Sequence, residues 1–198
     1  MHTIAAILVA SGFSRRFGKE DKLLSLFKGK PLARYTLELV TRMSRFNPVV
    51  FVAAKPEVAA LAEDAEIARP GIDLRIVLNS HPDYGLRESV RLGVIAAGDA
   101  DFYAFFPCDM PWLDAATVNA VLTRAAPGKI VHPVHNGQPG NPCVFAADFR
   151  DTLLSLEAGA RPRDIQKRRP ECVVAVEIAD SMALDDIDRP EEMARCAN

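Results

Sequence analysis

No apolar run in this 198-residue sequence reaches the roughly 18 residues that a membrane-crossing helix needs, which argues against a transmembrane protein. Nor is there a large charge of one sign. With 24 Lys and Arg against 26 Asp and Glu, the formal net charge is -2. That is too weak a basic field for nucleic-acid binding by counterion release, so a small-molecule substrate is expected. The four cysteines, at 108, 143, 172 and 196, have neither CxxC spacing nor the density of a disulfide scaffold, and they read as free thiols. The opening Met1-His2-Thr3 lacks the charged region and cleavage site of a secretory signal, so a cytoplasmic location is expected. With 49% hydrophobic and 25% charged residues, the chain has the composition of a folded globular protein. Its length suits a single domain over 1–198.

Strand and helix signals alternate along the chain. Ile4 to Ala10 is a continuous apolar run closed by Ser11-Gly12, the pattern of a buried strand. Pro31 can open a helix continuing to about Met43, and Pro48 to Ala53 is a second strand followed by a helical segment, Glu57 to Ala65. Strands at Arg75 to Leu78 and Phe102 to Phe106 bracket a helix at Glu88 to Ala97, and Asp114 caps a helix running through the following Ala-Ala-Thr-Val-Asn-Ala-Val-Leu. Ile130 to Val134 and Cys143 to Phe145 flank a polar turn and can pair antiparallel, and Val173 to Ile178 is a last strand. The rhythm predicts an α/β fold with a mostly parallel sheet covered on both faces. Ligands should then bind at the carboxyl ends of the strands, in the loops after Ala10 and Phe106.

Those two loops carry the chemistry. Residues Ala10 to Lys22 combine small residues, hydroxyls and cations. Backbone N–H groups can approach phosphate there, Ser14 offers a hydroxyl, and Arg16 and Lys22 can neutralise a triphosphate. The loop is neither a Walker A nor a GxGxxG motif, and a solvated basic turn is its plain alternative. Pro107-Cys108-Asp109-Met110-Pro111 holds one carboxylate between two prolines at a strand end. One or two carboxylates plus substrate phosphates suffice for magnesium, although a turn aspartate is the simpler reading of Asp109. Near the C-terminus, Asp188 is a candidate second ligand, with Asp186 as the fallback. Pro190-Glu191-Glu192 reads as a helix start.

Taken together, Ile7 to Gly18, Lys22-Leu23-Leu24 and Gly29-Lys30-Pro31-Leu32 resemble the LAAGxSxRxG…K…GKPL signature of the MobA-like NTP transferases, and within them the molybdenum cofactor cytidylyltransferases. The likeness continues through Gly85 to Gly93, Pro107 to Pro111, Gly140 to Phe145, Gly159-Ala160-Arg161 and Asp186 to Glu192. It implies a Rossmann-like three-layer α/β/α fold of the nucleotide-diphospho-sugar transferase type. It also implies Mg2+ held by Asp109 and Asp188, and phosphate roles for Ser14, Arg16 and Lys22. Backbone contacts are implied at Ala10, Ser11 and Gly12, and a base and ribose site near Asn79, Gly85 and Ser89. Arg16, Lys22 and Asp109 would be the catalytic residues.

The implied reaction joins CTP and molybdopterin into molybdopterin cytosine dinucleotide and pyrophosphate, and a recipient molybdoenzyme or chaperone is the protein partner it suggests. Three departures bear on specificity. Ala10-Ser11-Gly12 replaces the usual Ala-Ala-Gly, and Gly140-Asn141-Pro142 replaces Gly-His-Pro. Pro107 to Pro111 matches the guanylyltransferase relatives, whereas Gly85 to Ser89 and Gly159 to Arg161 match the cytidylyltransferases. Transfer from GTP, a sugar or alcohol phosphate acceptor, and a nucleotide-binding cofactor chaperone without turnover are the alternatives.

Overall fold

The computed structural model describes residues 2–11, 17, 21–64 and 69–195, with side chains as far as 192. In chain order its elements are β1 (Ile4–Ala10), β2 (Leu26–Phe27), β3 (Lys30–Pro31), α1 (Leu32–Arg42), β4 (Val49–Ala53), α2 (Pro56–Ala59), β5 (Leu74–Leu78) and α3 (Leu86–Ala97). They continue with β6 (Phe102–Pro107), α4 (Ala115–Leu122), β7 (Ile130–His135), β8 (Gln138–Pro139), β9 (Cys143–Ala146), α5 (Arg150–Leu154), α6 (Pro162–Arg168), β10 (Val173–Glu177) and α7 (Pro190–Arg195).

The main sheet runs in the order β10-β7-β9-β6-β1-β4-β5, with β8 beside β7. β1 lies parallel between β4 and β6, so the most apolar run of the chain occupies the centre. Ile7 and Leu8 are fully buried there, as expected of a strand with helices on both sides of its sheet. β9 is the one strand of the ordered path that runs against its neighbours, and it pairs Phe105 with Cys143 and Phe102 with Ala146. That reversal brings Asn141 to Cys143 to the carboxyl ends of β1 and β6. The expected antiparallel pairing of Ile130 to Val134 with Cys143 to Phe145 is present, with Ile130 opposite Phe145.

Two contacts fix the layers that position the site. α3 approaches β1 so closely at Gly93 that a Cβ there would collide with Ile7 Cγ2 and touch Val52. A separate small cluster of Phe17, Phe27, Leu32 and Ile187, flanked by Tyr35 and Trp112, docks the C-terminal segment against the β2–β3 hairpin. The helix expected from Glu57 to Ala65 differs: α2 ends at Ala59 and a 3-10 turn covers Ala60–Ala62, while Ala65 lies outside the described residues. Among the described residues no helix is long and apolar enough to cross a membrane.

Candidate active site

The strand-end loop after β6 is held from both sides. Cys108 and Met110 are buried to 1% exposure, which leaves Asp109 between two anchored side chains. Burial pushes the Cys108 thiol well above its ordinary value, with the Asp109 charge adding to it, so this cysteine is a packing residue rather than a nucleophile. The C-terminal segment reaches the same place because Ile187 is fully buried and its N–H donates to the Asp109 carbonyl at 3.0 Å. Asp186 and Asp188, one residue on either side of that anchor, are thereby carried to Asp109. Carboxylate oxygens of Asp109, Asp186 and Asp188 lie within 4.8 Å of one another.

Lys22 enters this cluster from the other end of the chain. The Asp21 carboxylate accepts the Leu23 N–H at 3.0 Å and the Lys55 ammonium at 2.8 Å, fixing the turn on which Lys22 sits. Lys22 Nζ then donates to Asp109 at 2.7 Å and to Asp188 at 3.1 Å. Burial works against the Lys22 charge, but the two carboxylates more than offset it and hold the ammonium above its ordinary pKa. Loss of hydration, then the charges of Asp109 and Asp188, push the Asp186 carboxyl upward. Asp109 Oδ1 is buried and has no hydrogen-bond partner among the described residues. Such an orphaned anionic oxygen is costly, and a divalent cation is a ligand that satisfies it. The donor set, all carboxylate oxygen, fits a hard cation.

The cluster opens into a cavity of about 670 Å3. Val9, Phe105, Phe106 and Pro107 contribute from the strands, Tyr84, Gly85, Leu86 and Arg87 from the start of α3, and Asn141, Cys143, Arg161, Arg163 and Gln166 from beyond β8. Gly85 adopts φ 77°, a left-handed conformation that glycine enters without a Cβ penalty, and this sharp entry sets the direction of α3.

The residues expected at the nucleotide are distributed unevenly. Lys22, Asp109 and Asp188 are in mutual contact and line the cavity together with Asp186 and Gly85. Ala10 ends β1. Ser11 lies next to it and is hydrogen-bonded through its hydroxyl to Ser89. Asn79 donates to Ser89 at 2.9 Å, and its side-chain oxygen accepts the His81 N–H at 2.9 Å. With Ser89 fully buried and Asn79 at 1% exposure, this trio ties the end of β1 to β5 and α3 beneath the cavity surface. Gly12, Ser14 and Arg16 lie outside the described residues. Arg87, Arg163 and Gln166 carried no role in the sequence reading, though Arg87 and Arg161 fall within its family-like segments.

This geometry can be set beside known proteins. Residues 6–173 match the family model described as the MobA-like NTP transferase domain. The chain belongs to this family. It is similar to a nicotine blue oxidoreductase of Paenarthrobacter nicotinovorans, at 25% identity over 97% of this chain and 95% of the relative. It is also similar to a molybdenum cofactor guanylyltransferase of Shewanella sp. (strain W3-18-1), at 24% identity over 98% and 95%. Among solved structures, a nucleotidyl transferase from Methanothermobacter thermautotroptrophicus superposes with a TM-score of 0.76 at 21% identity, covering 98% of this chain and 96% of that one. The fold is that of the nucleotide-diphospho-sugar transferases, and this MobA-like domain is a nucleotidyltransferase.

Proposed function

We propose that the chain, acting as one domain over 1–198, is a magnesium-dependent enzyme that transfers a nucleoside monophosphate from GTP or CTP to the terminal phosphate of molybdopterin and releases pyrophosphate. The observation that carries the proposal is the contact of Lys22 with Asp109 and Asp188 at the strand ends, a cation-and-carboxylate set suited to a metal–triphosphate. Asp109 and Asp188 would hold the metal, with Asp186 beside them. When bound, magnesium supplies Lewis-acid neutralisation of the charge that develops on the phosphates.

The remaining chemistry belongs to the chain's own groups. Lys22 is positioned to exchange its carboxylate contacts for the phosphates of the nucleotide and to neutralise the departing pyrophosphate, and the family resemblance gives phosphate roles to Ser14 and Arg16 as well. An acceptor phosphate oxygen forms the new P–O bond to the α-phosphorus while the bond to the β-phosphate oxygen breaks. The acceptor is already ionised, so no general base is needed and His132 and His135 are not required. Alignment of the two phosphates in the cavity supplies most of the advantage.

By the family resemblance, the Ala10-Ser11-Gly12 departure bears on the choice of nucleotide. Relatives named as molybdenum cofactor guanylyltransferases favour GTP at least as strongly as the family-like segments favour CTP. The oxidoreductase name of the Paenarthrobacter relative is not carried over, because the cleft offers phosphate and cation chemistry. Pyrophosphate release with magnesium and each of GTP, CTP, ATP and UTP, with and without molybdenum-loaded molybdopterin, tests the proposal. Pterin-dependent release with GTP or CTP is expected, and protein that binds a nucleotide but releases nothing with the pterin would remove molybdopterin as the acceptor.

A further inference from the structure

The cavity contains a group of charges outside the carboxylate cluster. Arg87, Arg161 and Arg163 all line it, and none forms an ion pair with a carboxylate among the described residues. Several arginines elsewhere are ion-paired, among them Arg75 with Asp73, Arg91 with Glu88 and Arg169 with Glu171. Of the three at the cavity, Arg87 and Arg163 are instead held by neutral groups, and Arg161 meets a carboxylate only through its backbone. Arg87 Nε donates to the Tyr84 carbonyl at 3.3 Å, and its guanidinium lies 5.7 Å from the centre of the Tyr84 ring. That ring is itself stacked on His81, 5.1 Å away and inclined by 13°. Arg163 Nη2 donates to the Pro139 carbonyl at 3.2 Å. The backbone N–H of Arg161 donates to the Asp164 carboxylate at 2.9 Å, which fixes the residue at the entry to α6.

A guanidinium has five donors in a planar fork matched to phosphate oxygens. Among the described residues Arg87 and Arg163 each make one side-chain hydrogen bond and no ion pair, which leaves donors to spare. The acidic cluster in the same cavity repels any anionic acceptor. An acceptor bearing a phosphate monoester therefore requires compensating cations within reach of that cluster, while an uncharged alcohol does not. Lys22 is already engaged with Asp109 and Asp188, so the arginines are the cations at hand.

We infer that Arg161 and Arg163, supported by Arg87 on its Tyr84–His81 stack, form the subsite for the phosphate monoester of the acceptor, separate from the groups that hold the nucleotide's phosphates. This rests on the nucleotidyl-transfer reading above and narrows the acceptor class to phosphate monoesters.

The test compares wild type with the double variant R161Q/R163Q and with R87Q in three measurements. Calorimetric affinity for the magnesium complexes of GTP and CTP should stay within about twofold. The KM for molybdopterin should rise about tenfold or more in the double variant with a smaller change in kcat, R87Q showing the same direction less strongly, as loss of charge-assisted phosphate contacts requires. Affinity of the magnesium-free protein for inorganic phosphate should fall about tenfold in the double variant. An unchanged phosphate affinity overturns the inference whether or not turnover is seen. So does a loss of nucleotide affinity with an unchanged molybdopterin KM, which would give the arginines to the triphosphate. The parent reading fails separately, by wild type releasing no pyrophosphate with any of the four nucleotides. If the double variant melts early, R163Q alone is carried through the same measurements, with the same results for and against.

Discussion

At the strand ends of the cavity the charges are partly paired within the protein, Lys22 lying against Asp109 and Asp188. On the α3 and α6 side, Arg87, Arg161 and Arg163 are held by carbonyl groups, a ring and a backbone turn. The first arrangement must be opened before a metal and a triphosphate can enter, because an ammonium sits where the cation is assigned. The second is ready for an anion as it stands. On the proposed reading, in which the cleft handles two anionic substrates, this division has a reason. Lys22 would offset the repulsion between Asp109 and Asp188, and the arginines would keep the second substrate from being repelled by the cluster.

Removing the centre of the paired side should have the largest effect. Asp109→Asn is expected to lower pyrophosphate release on the order of 10^3-fold, the loss of a carboxylate that holds a catalytic metal, while the protein still melts cooperatively. Activity within tenfold of wild type would take Asp109 out of the mechanism. Gly93→Ala puts a methyl against Ile7 and should cost about 1–3 kcal/mol of stability by overpacking. Chemical denaturation measures that cost. Ligand affinities should hold, and a selective change at one side of the cavity would mean that α3 transmits strain into it.

Opening the paired side by charge alone is a sharper probe. Lys22→Met should raise the affinity for Mn2+ without nucleotide about tenfold, since it removes the competing ammonium, and should weaken nucleotide binding at the same time. Electron paramagnetic resonance titration reads the first effect and calorimetry the second. Unchanged or weaker Mn2+ binding would show that the ammonium does not compete with the metal. The smallest effect belongs to Ser11→Ala, which removes one partner of the Ser11–Ser89 bond while Asn79 still donates to Ser89. A stability loss of about 0.5–1.5 kcal/mol by thermal melting is expected, and a larger loss would make the trio a principal brace of the site.

Much of the strand-end side could be read from local sequence. Ile4–Ala10 is bounded as its apolar run suggests, and the two prolines around Asp109 mark a loop after a buried strand. The joining of Asp186 and Asp188 to Asp109 could not be read in this way, because it depends on Ile187 packing with Phe17, Phe27 and Leu32, contacts that span most of the chain. The arginine side was harder still. α5 and α6 are 5 and 7 residues long, too short for a helical period to stand out, so no periodicity in the sequence places Arg161 and Arg163 on an element. The antiparallel pairing of β9 with β7 could be read from the sequence, but its pairing with β6, which brings residues near 141–143 to the cavity, emerges only from the assembled sheet. Asn79 and Ser89 teach the converse: polar residues at family-like positions lie beneath the surface and bond to each other.

The most direct measurement is a crystal structure with magnesium and a non-hydrolysable GTP or CTP analogue. The account predicts the metal at about 2.0–2.1 Å from carboxylate oxygens of Asp109 and Asp188, bridging to the triphosphate, with Lys22 moved from the carboxylates to the phosphates. A nucleotide bound with Lys22 still seated between Asp109 and Asp188, and no metal on either, would contradict it.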